Sequence, residues 1–129
     1  MNLTLEQKSL RVAKMREALA TGDHAEAYRL FNPIWSDKLD RLPPNLRPGL
    51  VRYILTGSPV GHFLTALIAN DLMEATARAD DTTMKNLRTL CQFLYNFAPG
   101  SCHGSEDKMK AWMAQGGALA IYYDEERGR

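Results

Sequence analysis

Apolar positions repeat with helical spacing along almost the whole chain. Val60, Phe63, Leu64, Leu67, Ile68, Leu72 and Ala75 fall at intervals of three and four residues, one stripe of a single long helix. Met84, Leu87, Cys91, Leu94 and Ala98, widened by Leu90, Phe93 and Phe97, predict a second long helix that stops before Pro99-Gly100. Asp80-Asp81 ends the first run and begins the second. A looser stripe of Leu3, Leu10, Met15 and Leu19 among charged residues predicts a one-sided helix to Ala20, stopped by Thr21-Gly22. Asp23 with Glu26 three residues on predicts a capping box, and Ala27, Tyr28, Leu30 and Phe31 the apolar side of a second helix. Residues 3–31 thus form a helical hairpin.

Punctuation residues set the remaining bounds. Asn32-Pro33 opens a short helix through Ile34, Trp35 and Leu39. Leu42-Pro43-Pro44-Asn45 is the clearest break, because two successive prolines cannot continue a helix. A helix follows from about Leu46 to Thr56, ended by Gly57, and Ser58-Pro59 caps the next. Ser105 opens a last helix, with Glu106 and Asp107 at its positive end, Met109, Trp112 and Met113 on its apolar side and Gly116-Gly117 at its close. Residues 118–123 fit a strand, a short helix or an extended arm, and Asp124 to Arg129 a polar, frayed end. The expectation is an all-α, compact bundle of about six to seven helices. It divides into an N-terminal extension (1–41) of the same domain, a main module (42–117) and a tail (118–129). No internal repeat is evident.

The composition narrows the class of protein. A chain of 129 residues has one domain's worth of core. A net charge of +1 gives no global field for nucleic acid or an anionic membrane. No run approaches the roughly 18 apolar residues of a membrane span, and the amphipathic N-terminus lacks a secretion signal. The two cysteines then read as reduced cytosolic thiols, with Cys91 in the core. The expected location is the cytoplasm.

No phosphate loop, H-E-x-x-H, C-x-x-C or G-x-S-x-G is present. Cys102-His103 lacks the paired spacing of a zinc site and a third group to orient a nucleophile. The expectation is therefore no catalytic residue, no metal and no cofactor. Three features invite a binding reading instead. Asn70-Asp71 interrupts the longest apolar stripe with two mediocre helix formers. Arg52, Tyr53, Arg78, Asp80 and Asn96 could join them in a polar patch, or pair within the fold. The loop of residues 99–105 carries His103, and Gly104-Ser105 presents a helix start suited to an anion or to ordinary capping. Basic residues cluster at Lys38, Arg41, Arg47 and Arg52 and at Lys8, Arg11, Lys14 and Arg16, but interleaved acids neutralise them.

Several of these residues also carry a family pattern: Arg52-Tyr53 before a Gly turn, Gly-x-Phe-Leu-Thr-Ala at Gly61 to Ala66, Asn70-Asp71-Leu72, Ala79-Asp80, Leu94 to Pro99, and Gly104 to Lys108. Over about residues 42–117 the chain resembles a family of short helical proteins encoded in phages and prophages. His103 departs from the pattern, which has an aromatic residue such as Trp there, and the N-terminal hairpin lies outside it. The resemblance implies a phage origin and a helical fold, and carries no activity with it. Small phage proteins of this kind suggest an anti-defence inhibitor, an anti-CRISPR-type protein among the candidates, that binds a host protein. The alternatives are a nucleotide sponge using Arg52, Tyr53, Arg78 and the Gly104-Ser105 helix start, and a DNA-binding regulator. A homodimer is compatible with the Met and aromatic side chains of the first and last helices.

Overall fold

Local capping chemistry cuts the apolar stripes into shorter helices than their periodicity predicts. The computed structural model describes residues 4–123, so the expectations for Leu3 and for Asp124 to Arg129 lie outside the described residues. Among the described residues nine α-helices run in the order α1 (Leu5–Ala20), α2 (His24–Phe31), α3 (Arg47–Thr56), α4 (His62–Ile68), α5 (Leu72–Arg78), α6 (Asp81–Lys85), α7 (Leu87–Phe97), α8 (Glu106–Gln115) and α9 (Gly117–Tyr123). Two 3-10 turns, Ser36–Arg41 and Gly100–Cys102, complete the set, and no strand occurs among the described residues. The class is all-α, as expected. The tail's first residues resolve to the helix α9.

The expected long helix from Val60 to Ala75 is two helices. Asn70 adopts a left-handed φ of 62°. The Asp71 N–H donates to the Ala66 carbonyl (2.8 Å) and the Asn70 N–H to Leu67 (3.1 Å), a pair of bonds that closes α4. The Asp71 carboxylate then accepts the Glu74 N–H (3.1 Å) and opens α5. The two residues that looked misplaced inside a helix are a stop and a start. The second long stripe breaks at Asn86. There the side-chain amide donates to the Thr82 carbonyl (2.8 Å), and the backbone N–H turns to Thr83 (3.0 Å).

The α1–α2 corner uses the same construction. Gly22 has φ 84°, Asp23 N–H donates to Ala18 O (2.8 Å) and Gly22 N–H to Leu19 O (3.2 Å), and Asp23 caps Glu26 N–H (3.1 Å). The expected capping box is half formed, because the Glu26 carboxylate turns to Arg29 (2.8 Å to Nε). At one constant offset along the sequence, Val12 matches Val60, Met15 matches Phe63, Ala18 matches Ala66, Leu19 matches Leu67, Asp23 matches Asp71, Glu26 matches Glu74 and Ala27 matches Ala75. Met15, Ala18 and Ala27 are buried, and so are Phe63, Ala66 and Ala75. The chain therefore contains a repeated hairpin that its apolar periodicity alone conceals.

Helix α3 is the centre of the fold. Leu50, Val51, Tyr53, Ile54 and Leu55 are all fully buried, and α2 and α9 pack on it. One continuous core joins Met15 and Tyr28 of the first hairpin to Leu39, Leu42, Leu90, Phe93, Trp112 and Leu119. Several positions of the expected apolar stripes face out: Leu10, Leu72 and Met84 are exposed, and Cys91 is exposed because α7 turns Leu90, Phe93 and Leu94 inward instead. Ser58 does not cap α4, which starts at His62 after Gly61. Its hydroxyl pairs with that of Thr56 at 2.6 Å. No helix among the described residues is long and apolar enough to cross a membrane.

Candidate functional site

The end of α4, the start of α5, one side of α7 and the 100–104 loop enclose a cleft of about 560 Å³. Its apolar wall is Leu67, Leu72, Ala75 and Leu94, with Cys91 beside them. Its polar wall is Asn70, Asp71, Gln92, Asn96, His103 and Lys108, and Tyr95, Gly100 and Gly104 complete the lining. This volume lies in the range of small-ligand pockets and peptide-anchor sites, roughly 300–1,000 Å³. The loop is held in place by the Gly104 N–H, which donates to the Ile68 carbonyl at 2.9 Å. Gly104 has φ 115°, and the Lys108 side chain passes 3.6 Å from where a Cβ would sit.

Five of the expected site residues meet in this cleft: Asn70, Asp71, Asn96, His103 and Gly104. The other five do not. Tyr53 is fully buried in α3, and its hydroxyl donates to the Cys102 carbonyl at 2.6 Å. Burial pushes the Tyr53 pKa up, so the side chain is a neutral strut of the core and not a binding anchor. Arg52 is exposed but outside the cleft. Arg78 is held by Glu74 at 2.6 Å, Asp80 caps α6 through Thr83 N–H (2.7 Å), and Ser105 caps α8 through Lys108 N–H (3.1 Å). The constellation expected for a nucleotide sponge is therefore not assembled. The basic cluster near Leu42 is also partly spent within the fold: the Arg47 guanidinium donates to the Leu42 and Asp40 carbonyls at 2.8 and 2.7 Å.

Sequence reasoning missed Leu72, Tyr95 and Lys108. The signal available was that Tyr95 falls off the apolar stripe of α7 and that Leu72-Met73 directly follows a capping Asp. Leu72 is 62% exposed, Met73 80% and Tyr95 82%. Isolated apolar residues on a surface are ordinary, and Met73 is one of them, but Leu72 and Tyr95 line a cleft.

The two thiols of the chain are in opposite environments. Cys91 stands at the cleft wall, where partial burial raises its pKa. Cys102 is fully buried, its pKa pushed up to about 12, mainly by desolvation. A thiol reagent is expected to modify Cys91 alone in the native protein, and Cys102 only once denaturant is added. Reaction of both thiols without denaturant would contradict the burial of Cys102. A buried thiol with a raised pKa is also a poor nucleophile, which leaves Cys102-His103 without the chemistry of a catalytic pair.

His103 is the polar group most out of balance in the cleft. Its Nε2 is buried without a hydrogen-bond partner. Desolvation, then the nearby Lys108 charge, hold its pKa below the ordinary value, with the Leu94 carbonyl opposing them. The folded state therefore takes up this proton less readily than the unfolded state. The stability tied to neutral His103 is complete above the unfolded pKa of about 6.5, falls as pH drops through it, and levels off below the folded pKa. Urea titrations at descending pH are expected to show a shallower loss for His103→Gln than for the wild type between neutral and mildly acidic pH. Equal slopes would contradict the assignment.

No group of three or more His, Cys, Asp or Glu side chains among the described residues could hold a metal ion. No family model, curated protein or solved structure compared with the chain matches it.

Proposed function

We propose that the chain is a binding protein without chemistry of its own, which works by occupying the surface of a host protein. In this reading it is an accessory protein of a phage or prophage, acting in the bacterial cytoplasm against a host defence system. The observation that carries the binding part is the exposure of Leu72 and Tyr95 at the edge of a cleft with an apolar wall. The motifs between Arg52-Tyr53 and Lys108 support the phage origin. Partner surfaces of this kind concentrate their binding energy in a few apolar or aromatic anchors, and Tyr is a favoured one.

Affinity capture from a host lysate tests the proposal, with the wild type and a Leu72→Asp/Tyr95→Asp variant as baits. Both side chains point largely into solvent, so the variant is expected to keep its helical signal and melting profile. A host protein held by the wild type and lost by the variant supports the reading. Nothing retained, or equal retention by both baits, overturns it.

A further inference from the structure

The loop of residues 100–104 forms one side of the cleft and is fastened on either side of His103. Before His103, the Cys102 carbonyl accepts the buried Tyr53 hydroxyl at 2.6 Å, an anchor inside the core. After it, the Gly104 N–H donates to the Ile68 carbonyl at the end of α4 (2.9 Å). Gly104 is exposed and has φ 115°, so the backbone can swing there more freely than at its neighbours. His103 lies between the two anchors, partly buried, with an Nε2 that meets no hydrogen-bond partner. This arrangement suits a neutral ring. A protonated imidazole donates from both nitrogens, and a buried charge with an unpaired donor is costly. The surroundings do not compensate. From α8, Lys108 brings a like charge to the ring, and Glu106 is engaged by Lys110 at 2.8 Å. From α7 come the Cys91 and Tyr95 side chains of the cleft wall and the Leu94 carbonyl, which favours the proton but is outweighed. From the start of α5, the Asp71 carboxylate already accepts the Glu74 N–H at 3.1 Å. Within the loop, the Cys102 thiol is buried and neutral.

We propose that His103 is a proton-operated latch on the cleft. When the ring takes up a proton it turns out to solvent, the Gly104–Ile68 bond opens, and the 100–104 side of the cleft detaches from α4 while Cys102 stays anchored. The closed loop holds the neutral ring, so it binds the proton less readily than the open loop, whose histidine has an ordinary pKa of about 6.5. Opening therefore gains as pH falls below about 6.5, by at most about tenfold per pH unit for one proton, and levels off below the closed-state pKa. The cleft is complete at neutral pH and opens in mild acid, a local transition distinct from unfolding of the core.

Hydrogen exchange of the Gly104 amide tests the latch, followed by NMR from neutral pH to about pH 5 and corrected for the intrinsic exchange rate. In the wild type its protection is expected to fall as pH drops below about 6.5, with a limiting slope of about tenfold per pH unit. The buried Leu55 amide of α3 is expected to keep its protection over the same range. His103→Gln, neutral throughout, is expected to hold the Gly104 protection level. Lys108→Gln, at an exposed position, is expected to show a smaller fall than the wild type, because losing the like charge brings the closed-state pKa toward the ordinary value. Unchanged Gly104 protection in the wild type would overturn the latch, since the ring then takes up its proton without freeing the loop. An equal fall in His103→Gln would overturn it by assigning the opening to another group. A matching loss at Leu55 would overturn it by showing unfolding of the whole core. If His103→Gln does not fold, the comparison rests on Lys108→Gln, and a fall equal to that of the wild type overturns the latch.

Discussion

Gly117→Ala is expected to destabilise the fold severely, although it adds a single methyl group. Gly117 has a left-handed φ of 73°. A Cβ there would lie 2.5 Å from the Gly57 nitrogen, 2.6 Å from that of Thr56 and 2.7 Å from the Leu55 carbonyl carbon. All three are backbone atoms at the end of α3, so no rotamer change relieves the clash. The left-handed conformation costs a residue with a Cβ about 1–2 kcal/mol, and overpacking a rigid contact adds about 1–3 kcal/mol. Together these come to about 2–5 kcal/mol, a large share of an ordinary domain's stability of about 5–15 kcal/mol. Gly22→Ala is the control: φ is 84° and nothing lies within 4 Å of its Cβ, so only the conformational cost of about 1 kcal/mol applies. Urea denaturation of the two variants side by side is expected to show a large loss for Gly117→Ala and a small one for Gly22→Ala. Similar losses would mean that the α3–α9 backbone approach is not as close as described.

Trp112→Ala is the second large effect. The indole is 2% exposed, and its Nε1 donates to the Tyr53 and Ile54 carbonyls at 3.1 and 3.2 Å, two of the last-turn acceptors of α3. Removing the ring is expected to cost about 3–5 kcal/mol. Trp112→Phe separates packing from hydrogen bonding. The Tyr53 carbonyl keeps the Gly57 N–H at 2.8 Å, but the Ile54 carbonyl loses the indole donor inside the core, a cost of about 1–3 kcal/mol. The phenylalanine variant is expected to melt between the wild type and the alanine variant. If it matches the wild type, the two carbonyls draw nothing from the indole.

These two sites, with the Tyr53 hydroxyl on the Cys102 carbonyl, fasten α3 to the α8–α9 segment and the loop before it. Periodicity could identify Trp112 as apolar and Gly117 as a stop, but not that one backbone passes against another there. Tyr53 shows the same limit from the other side. Arg52 and Tyr53 are adjacent and similar in residue type to binding anchors, yet a helix points neighbours about 100° apart. One faces water and the other the centre of the core.

Helix class and most starts were legible because caps are local chemistry. Asp23, Asp80 and Ser105 begin helices, and Gly22, Gly57 and Gly116 end them, as the sequence implies. Asn70-Asp71 was misread because its apolar flanks hold one helical phase across a corner, so the stripe looked unbroken. The matching Gly22-Asp23 was read correctly only because Gly is the more familiar stop. Cys91 was misread because its stripe on α7 is wide enough to be shifted by one residue. Half of the candidate site survived because Asn70, Asp71, Asn96, His103 and Gly104 were chosen as polar residues in odd places. The apolar half was less legible, since Leu72 sits on the expected apolar stripe and only the fold leaves it outside.

If the proposed function holds, the cleft edge at Leu72 and Tyr95, and not some other apolar patch, meets the partner. Leu10 on α1 is an internal control, 58% exposed and outside the cleft lining. A photo-reactive residue is placed in turn at positions 10, 72 and 95, and each protein is irradiated in a host lysate. One discrete host-protein adduct shared by positions 72 and 95 is expected, and none from position 10. Adducts from position 10 alone, or from all three positions without distinction, would contradict it.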